Sequence, residues 1–197
     1  PKPTPKPSSN SVLLNWDFEA PTIEPWQTQG SIQFNQVNDA SSYSGKYGLA
    51  TGRTATWHGV KYNATAVFQQ GILYQVNFRA KSFPANAGDK TVITMNIVVD
   101  DSLGNRVVLY DTIIWSDQLT GDWKLFSGGY KLPDFQGPAK LIMLYISGPA
   151  AGVNFAIDEV VVKNAKPFQE SFLVGTNQNT ERVTIPQPPP PNLPTIR

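Results

Sequence analysis

The residues with most chemical potential in this chain lie in Gly52-Arg53-Thr54-Ala55-Thr56-Trp57-His58-Gly59, a run that sets an indole among small residues and holds the single histidine. An indole in such a setting is either a buried plug or a flat face offered to a ligand, and residue types alone leave both open. Tyr110 and Tyr145 lie in two further strand-like segments with polar neighbours. Aromatic faces beside amides, guanidinium groups or hydroxyls suit a sugar ring: its C–H face lies on the π-system while its rim hydroxyls pair with donors and acceptors. The competing reading is that all three rings are core. Trp16, Trp26, Trp115 and Trp123 read as core or sheet-edge packing.

Carboxylates form the second set. Asn15-Trp16-Asp17-Phe18-Glu19 puts two acids on one side of an extended segment. Ile157-Asp158-Glu159 places an acid within an apolar strand, where a bare charge is costly and calls for a counter-charge or a metal. If the first and last strands are neighbours, Asp17, Glu19 and Asp158 converge, and Ser44-Gly45-Lys46 can add carbonyl oxygens. Ca2+ accepts such donors, although hydrogen-bonded turns with a salt bridge would use the same residues, and the spacing is not that of an EF-hand. Catalysis has the least support. His58 has no Gly-x-Ser-x-Gly motif to serve, and Asp100, Asp101, Asp111 and Asp117 fall in turn-like or alternating contexts rather than as a pair flanking a cleft. There is no phosphate-cradling glycine loop and no histidine cluster for a metal. No catalytic residue is assigned.

The elements that must position these groups read as strands. Residues 31–37 and 72–80 alternate apolar with polar, and 91–99 is rich in β-branched side chains. A turn at 101–105 leads into 106–114, which makes a hairpin with 91–99. Residues 123–132, 141–146 and 154–162 complete the set, and no segment carries a sustained helical period. Eight or more antiparallel strands without helices predict an all-β fold, a two-sheet antiparallel β-sandwich of jelly-roll type. Residues 1–10 alternate proline with small or basic residues and read as a stiff tether; 164–197 is polar, then proline-rich, and reads as a linker towards a further domain. The sandwich module is expected over 11–163.

Composition narrows the function classes. Charged residues make up 16% of the chain, below the roughly 25% of ordinary globular domains. With 16 basic and 15 acidic residues the net charge is +1, which provides no field to draw the chain to nucleic acid or anionic lipid. No apolar run approaches the ~18 residues of a membrane span. The absence of cysteine excludes a disulfide framework, a thiolate nucleophile and a cysteine zinc site.

The order Asn15-x-x-Phe18-Glu19, Trp26, Ser44-Gly45-Lys46-Tyr47-Gly48-Leu49, Gly52 to Gly59, Trp123 and Phe155-x-Ile157-Asp158-Glu159-Val160 resembles the family 22 carbohydrate-binding modules, xylan-binding β-sandwiches found beside xylanase catalytic domains. The Arg-Thr-x-x-Trp-His-Gly run is the most specific part; the Phe-Glu and Ile-Asp elements are shared with family 4 and 9 modules. The resemblance implies a non-catalytic, monomeric module that binds xylan or xylo-oligosaccharide and holds a covalently linked, secreted xylanase on plant cell-wall polysaccharide. It implies a sugar site of Trp57, Tyr110 and Tyr145 with Arg53, His58, Gln29 and Ser147. It also implies a structural Ca2+ held by Glu19 and Asp158, with Asp17 and the Lys46 carbonyl as helpers. Two positions depart from binding members: Gln29 stands where an arginine is common, and Ser147 where a glutamate is common. Both keep hydrogen-bonding capacity without charge, and charged hydrogen bonds are roughly twice as strong as neutral ones. The departures leave a second expectation, a module that stabilises its catalytic neighbour with little sugar affinity.

Overall fold

The computed structural model describes residues 11–83, 91–103 and 106–165, with the side chains of 106–110 excepted. The proline-rich tethers, and the polar stretch from residue 166 onward, lie outside the described residues. Eleven strands are present among those described: β1 (Val12–Trp16), β2 (Gln27–Gln29), β3 (Gln33–Val37), β4 (Tyr47–Thr51), β5 (Gly59–Asn63), β6 (Leu73–Phe83), β7 (Thr91–Asp100), β8 (Arg106–Leu119), β9 (Lys124–Lys131), β10 (Leu141–Ser147) and β11 (Asn154–Asn164). All pairings are antiparallel. One sheet runs β3-β4-β11-β6-β9 with β1 also on β11; the other runs β2-β5-β10-β7-β8. This is the two-sheet sandwich that the alternating segments predict.

Period-2 alternation builds the core. On β10, Ile142, Leu144 and Ile146 point inward while Met143 and Tyr145 point out. Ile93, Met95 and Ile97 of β7 meet Val76, Phe78 and Ala80 of β6 and Phe155 and Ile157 of β11 in one apolar interior. Each such side chain contributes roughly 1.5–3 kcal/mol by leaving water, so the long strands are fixed by burial. The short strands β1, β2, β4 and β5 are less legible in the sequence because three to five residues carry little periodicity. They form because a longer neighbour offers them a ladder.

Two irregularities matter for function. β11 pairs with β4 over its first half and with β1 over its second, and the exchange falls at Asp158 and Glu159. There the register against β6 shifts, and Glu159 takes a left-handed conformation with φ of 47°. On β8 the register against β7 slips between Met95 and Asn96, so that Ile114 faces the core while both Thr112 and Trp115 face out.

Candidate functional site

The Trp57 loop is built around Arg53. This side chain is buried, and its guanidinium donates to six main-chain carbonyls: Nε to His58 at 2.9 Å, Nη1 to Ala150 and Val153 at 3.0 and 2.5 Å, and Nη2 to Ala55, Thr56 and Pro149 at 3.3, 3.1 and 2.6 Å. Burial lowers its pKa to about 10, which leaves it charged at neutral pH. Main-chain bonds from Gly148 to Thr56 and from Gly152 to Arg53 close the same unit. Arg53 therefore ties the 53–58 loop to the 148–153 turn. That corrects its expected place as a sugar contact, because every donor direction is already spent on the chain.

His58 is buried as well. Its Nδ1 accepts the Thr54 N–H at 3.2 Å, and a Cβ on Gly30 would lie 2.2 Å from the imidazole Cδ2, so the end of β2 closes directly over the ring. Trp57 stands edge-on to His58, with ring centroids 4.4 Å apart at 90°, and remains 54% exposed. The alternatives of plug and open face are thereby separated: Arg53 and His58 go inside, and the indole stays out with Thr54 and Thr56. Gly59 answers another need. A Cβ there would meet the Ile146 carbonyl at 2.1 Å, so its bareness admits the β10 backbone.

Strand register places the remaining candidates on the outer face of β2-β5-β10-β7-β8. One row across the strands reads Gln29, Gly59, Ser147, Thr94, Trp115; the next reads Gln27, Lys61, Tyr145, Asn96, Thr112. Tyr145 is half-buried between Lys61 and Asn96. Ser147 is buried, and the Gln29 Oε1 is buried without a hydrogen-bond partner. Trp57, Tyr145, Gln29 and Ser147 thus gather at one end of one face, with Arg53 and His58 beneath them. Tyr110 lies on β8 of the same sheet, with its side chain outside the described residues. Trp115, expected as packing, is 53% exposed on this face. The sequence missed it because the slip in β8 turns it outward, and a bulge leaves no mark on an alternation pattern.

The acids gather elsewhere, at the bulge where β11 changes partner. Asp158 is fully buried; its Oδ1 accepts the Glu159 N–H at 2.7 Å, and its Oδ2 has no partner. Burial first, then repulsion from Glu159, Asp17 and Glu19, pushes its pKa up to about 7 against the pull of that N–H. The nearby cation is already engaged, since Arg79 Nε pairs with Glu159 at 2.6 Å and its guanidinium lies 3.8 Å from the Tyr43 ring centroid. Asp17 and Glu19 do not lie along an extended segment as expected. Phe18 between them has φ of 58°, and the Glu19 N–H closes a turn onto Asp17 Oδ1 at 3.1 Å. Glu19 Oε1 accepts the Lys46 N–H at 2.5 Å, which brings the 44–46 main chain against the same carboxylate. Among the described residues no three acidic or imidazole groups close to metal-holding distance. The set still fits an oxygen-seeking cation that also takes carbonyl oxygens, because a buried carboxylate oxygen is orphaned beside further negative charge.

A profile of a carbohydrate binding domain, CBM_4_9, matches residues 10–152. The chain belongs to that family of carbohydrate-binding domains. Endo-1,4-beta-xylanase A of Thermoanaerobacterium saccharolyticum is 31% identical over 161 residues, covering 81% of this chain and 13% of the xylanase. Exoglucanase XynX of Acetivibrio thermocellus is 30% identical over 178 residues, covering 89% of this chain and 16% of that protein. The chain thus spans a small part of its curated relatives. Among solved structures, the CBM22-1 xylan-binding domain from Paenibacillus barcinonensis Xyn10C superposes with a TM-score of 0.69 at 21% identity, covering 82% of this chain and 99% of that one. A Clostridium thermocellum Xyn10B structure of CBM22-1 and GH10 modules complexed with xylohexaose gives 0.65 at 18% identity, over 77% of this chain and 28% of that one. At these identities the likeness is one of fold. The Paenibacillus barcinonensis domain and a xylan-binding domain of CBM 22 are each matched over 99% of their own length. In this carbohydrate-binding domain the outer face of β2-β5-β10-β7-β8 and the acidic bulge of β11 lie on different sheets.

Proposed function

We propose that this carbohydrate-binding domain binds β-1,4-xylan or xylo-oligosaccharides on the outer face of β2-β5-β10-β7-β8 and holds a secreted, covalently linked xylanase on plant cell-wall polysaccharide. The observation that carries the reading is Trp57: an indole more than half exposed, on a loop that a fully satisfied Arg53 makes rigid. A preformed platform costs little ordering entropy when a sugar stacks on it. The half-buried Tyr145 and the amide of Gln29 supply a second ring and hydrogen-bonding groups alongside. The names of its relatives, xylanases and xylan-binding domains, point to the same ligand. Affinity electrophoresis through soluble xylan tests it: the wild type is retarded and Trp57→Ala runs free, whereas unretarded wild type defeats the reading.

The second reading, a module that stabilises its catalytic neighbour, draws on Gln29 and Ser147, neutral groups that are partly or wholly withdrawn from solvent. It predicts that deleting the module lowers the melting temperature of the parent enzyme and leaves its xylan retention unchanged. Either reading includes a structural Ca2+ at the acidic bulge. Asp158 and Glu19 would hold it, with Asp17 and the Lys46 carbonyl beside them. A bound Ca2+ supplies the positive charge that the orphaned Asp158 oxygen lacks.

A further inference from the structure

We infer that Trp115 is a second stacking platform at the far end of the sugar-binding face, taking a neutral pyranose unit several positions along the same polysaccharide chain from the one over Trp57. This rests on the reading of that face as a sugar site. The two indoles are equally open, Trp115 at 53% and Trp57 at 54% exposed. They bracket a single row of register partners. Trp57 lies two residues before Gly59, and from Gly59 the row crosses Ser147 and Thr94 to Trp115. Three strand-to-strand steps separate Gly59 from Trp115, roughly 14 Å. That span suits an oligosaccharide lying across the strands, and it is too long for one ring.

What lies between the indoles fits the same ligand. Gly59 has no side chain, Ser147 is buried and Thr94 is small, so the floor is low. The adjoining polar groups are linked to one another: Thr112 Oγ1 donates to Asn96 Oδ1 at 2.9 Å, and Asn96 Nδ2 donates to Thr94 Oγ1 at 3.1 Å. This network, in which Thr94 Oγ1 also reaches the Ser147 carbonyl at 3.5 Å, locks the amide and hydroxyls in place beside the row. No residue of the Gln29-to-Trp115 row is charged, which disfavours an ionic ligand. The row lies on a sheet face rather than an edge, so it offers an extended peptide no open ladder. The slip in β8 is what turns Trp115 out while keeping Ile114 in the core. Bulges commonly re-aim a side chain in this way.

Calorimetric titration of the whole chain with β-1,4-xylo-oligosaccharides of increasing length tests the inference. Wild-type affinity rises with length. Trp115→Ala matches wild type on the shortest binding oligomers and falls roughly tenfold behind on the longest, the size of one lost aromatic contact. Trp115→Phe recovers part of that loss, and Trp57→Ala weakens binding at every length. Because Trp115 is exposed, an unchanged melting temperature for Trp115→Ala shows the fold intact. Wild-type affinity at all lengths in Trp115→Ala overturns the inference and leaves the sugar site standing. A loss equal at all lengths also overturns it, since that marks an indirect effect on the Trp57 end. Absence of binding by the wild type overturns the sugar-site reading and this inference together.

Discussion

Arg53 and Asp158 are both buried in this sandwich, and the chain treats their charges in opposite ways. Arg53 reaches six carbonyls contributed by two loops, so its charge is answered entirely from within. Asp158 has one N–H for one oxygen and nothing for the other, while the carboxylates near it make matters worse. A buried ion that the protein satisfies works as scaffold, and around Arg53 it holds the loop that presents Trp57. A buried ion left half-satisfied is the position where we place the proposed cation. The contrast separates a charge that the fold answers for itself from one that it answers only in part.

The largest effect should come from removing the satisfied charge. Arg53→Met leaves six carbonyls without their donor and should cost about 3–5 kcal/mol in denaturant unfolding, the range for breaking a buried charged network. Sugar affinity should fall with it because the Trp57 loop loses its anchor. A stable Arg53→Met protein with intact binding would break the comparison at its first term.

The second term responds to calcium and to pH. Chelation should lower stability by about 3–4 kcal/mol relative to calcium at 100 to 1,000 times its dissociation constant, and sugar binding should persist because the sites lie on different sheets. In the metal-free protein burial pushes the Asp158 pKa up to about 7 from an ordinary 3.8. A raised acid pKa means the folded state holds its proton where the unfolded state has lost it. Stability is therefore undiminished by this group below pH 4, falls as pH rises from about 4 to about 7, and levels off above that. Asp158→Asn should flatten this slope and abolish the response to calcium together. Melting curves in chelator across that range check both.

Smaller effects sharpen the division between scaffold and surface. Trp57→Ala should weaken xylan binding by tenfold or more, while its stability stays within about 0.5 kcal/mol of wild type, as for exposed positions generally. Gln29→Ala should do least. Its Oε1 has no partner to lose, so stability should hold, and affinity should drop only a few-fold, the worth of about one neutral hydrogen bond.

Much of this was open to reading from the sequence. Alternation at 31–37 and 72–80 and the β-branched run at 91–99 became β3, β6 and β7, because period-2 patterning reports burial residue by residue. The cost of an acid inside an apolar strand at Asp158 was equally legible, since it follows from residue type alone. The run from Gly52 to Gly59 was recognisable as special, but the roles within it were not. Sequence could not distribute inside and outside among Arg53, Trp57 and His58. The acceptors of Arg53 include Pro149, Ala150 and Val153, about a hundred positions away in the chain.

The sequence by itself determined the all-β class, the identity of the apolar faces, the family and the presence of an acid inside an apolar strand. These depend on local pattern and residue chemistry. Tertiary structure alone decided that Arg53 turns inward, that Trp57 stays open, and that β11 changes partner at Asp158. It also decided that a slip of β8 brings Trp115 onto the face that Trp57 begins. Each of these is settled by register between strands distant in sequence, and register is fixed by the burial and hydrogen bonding of the whole sheet.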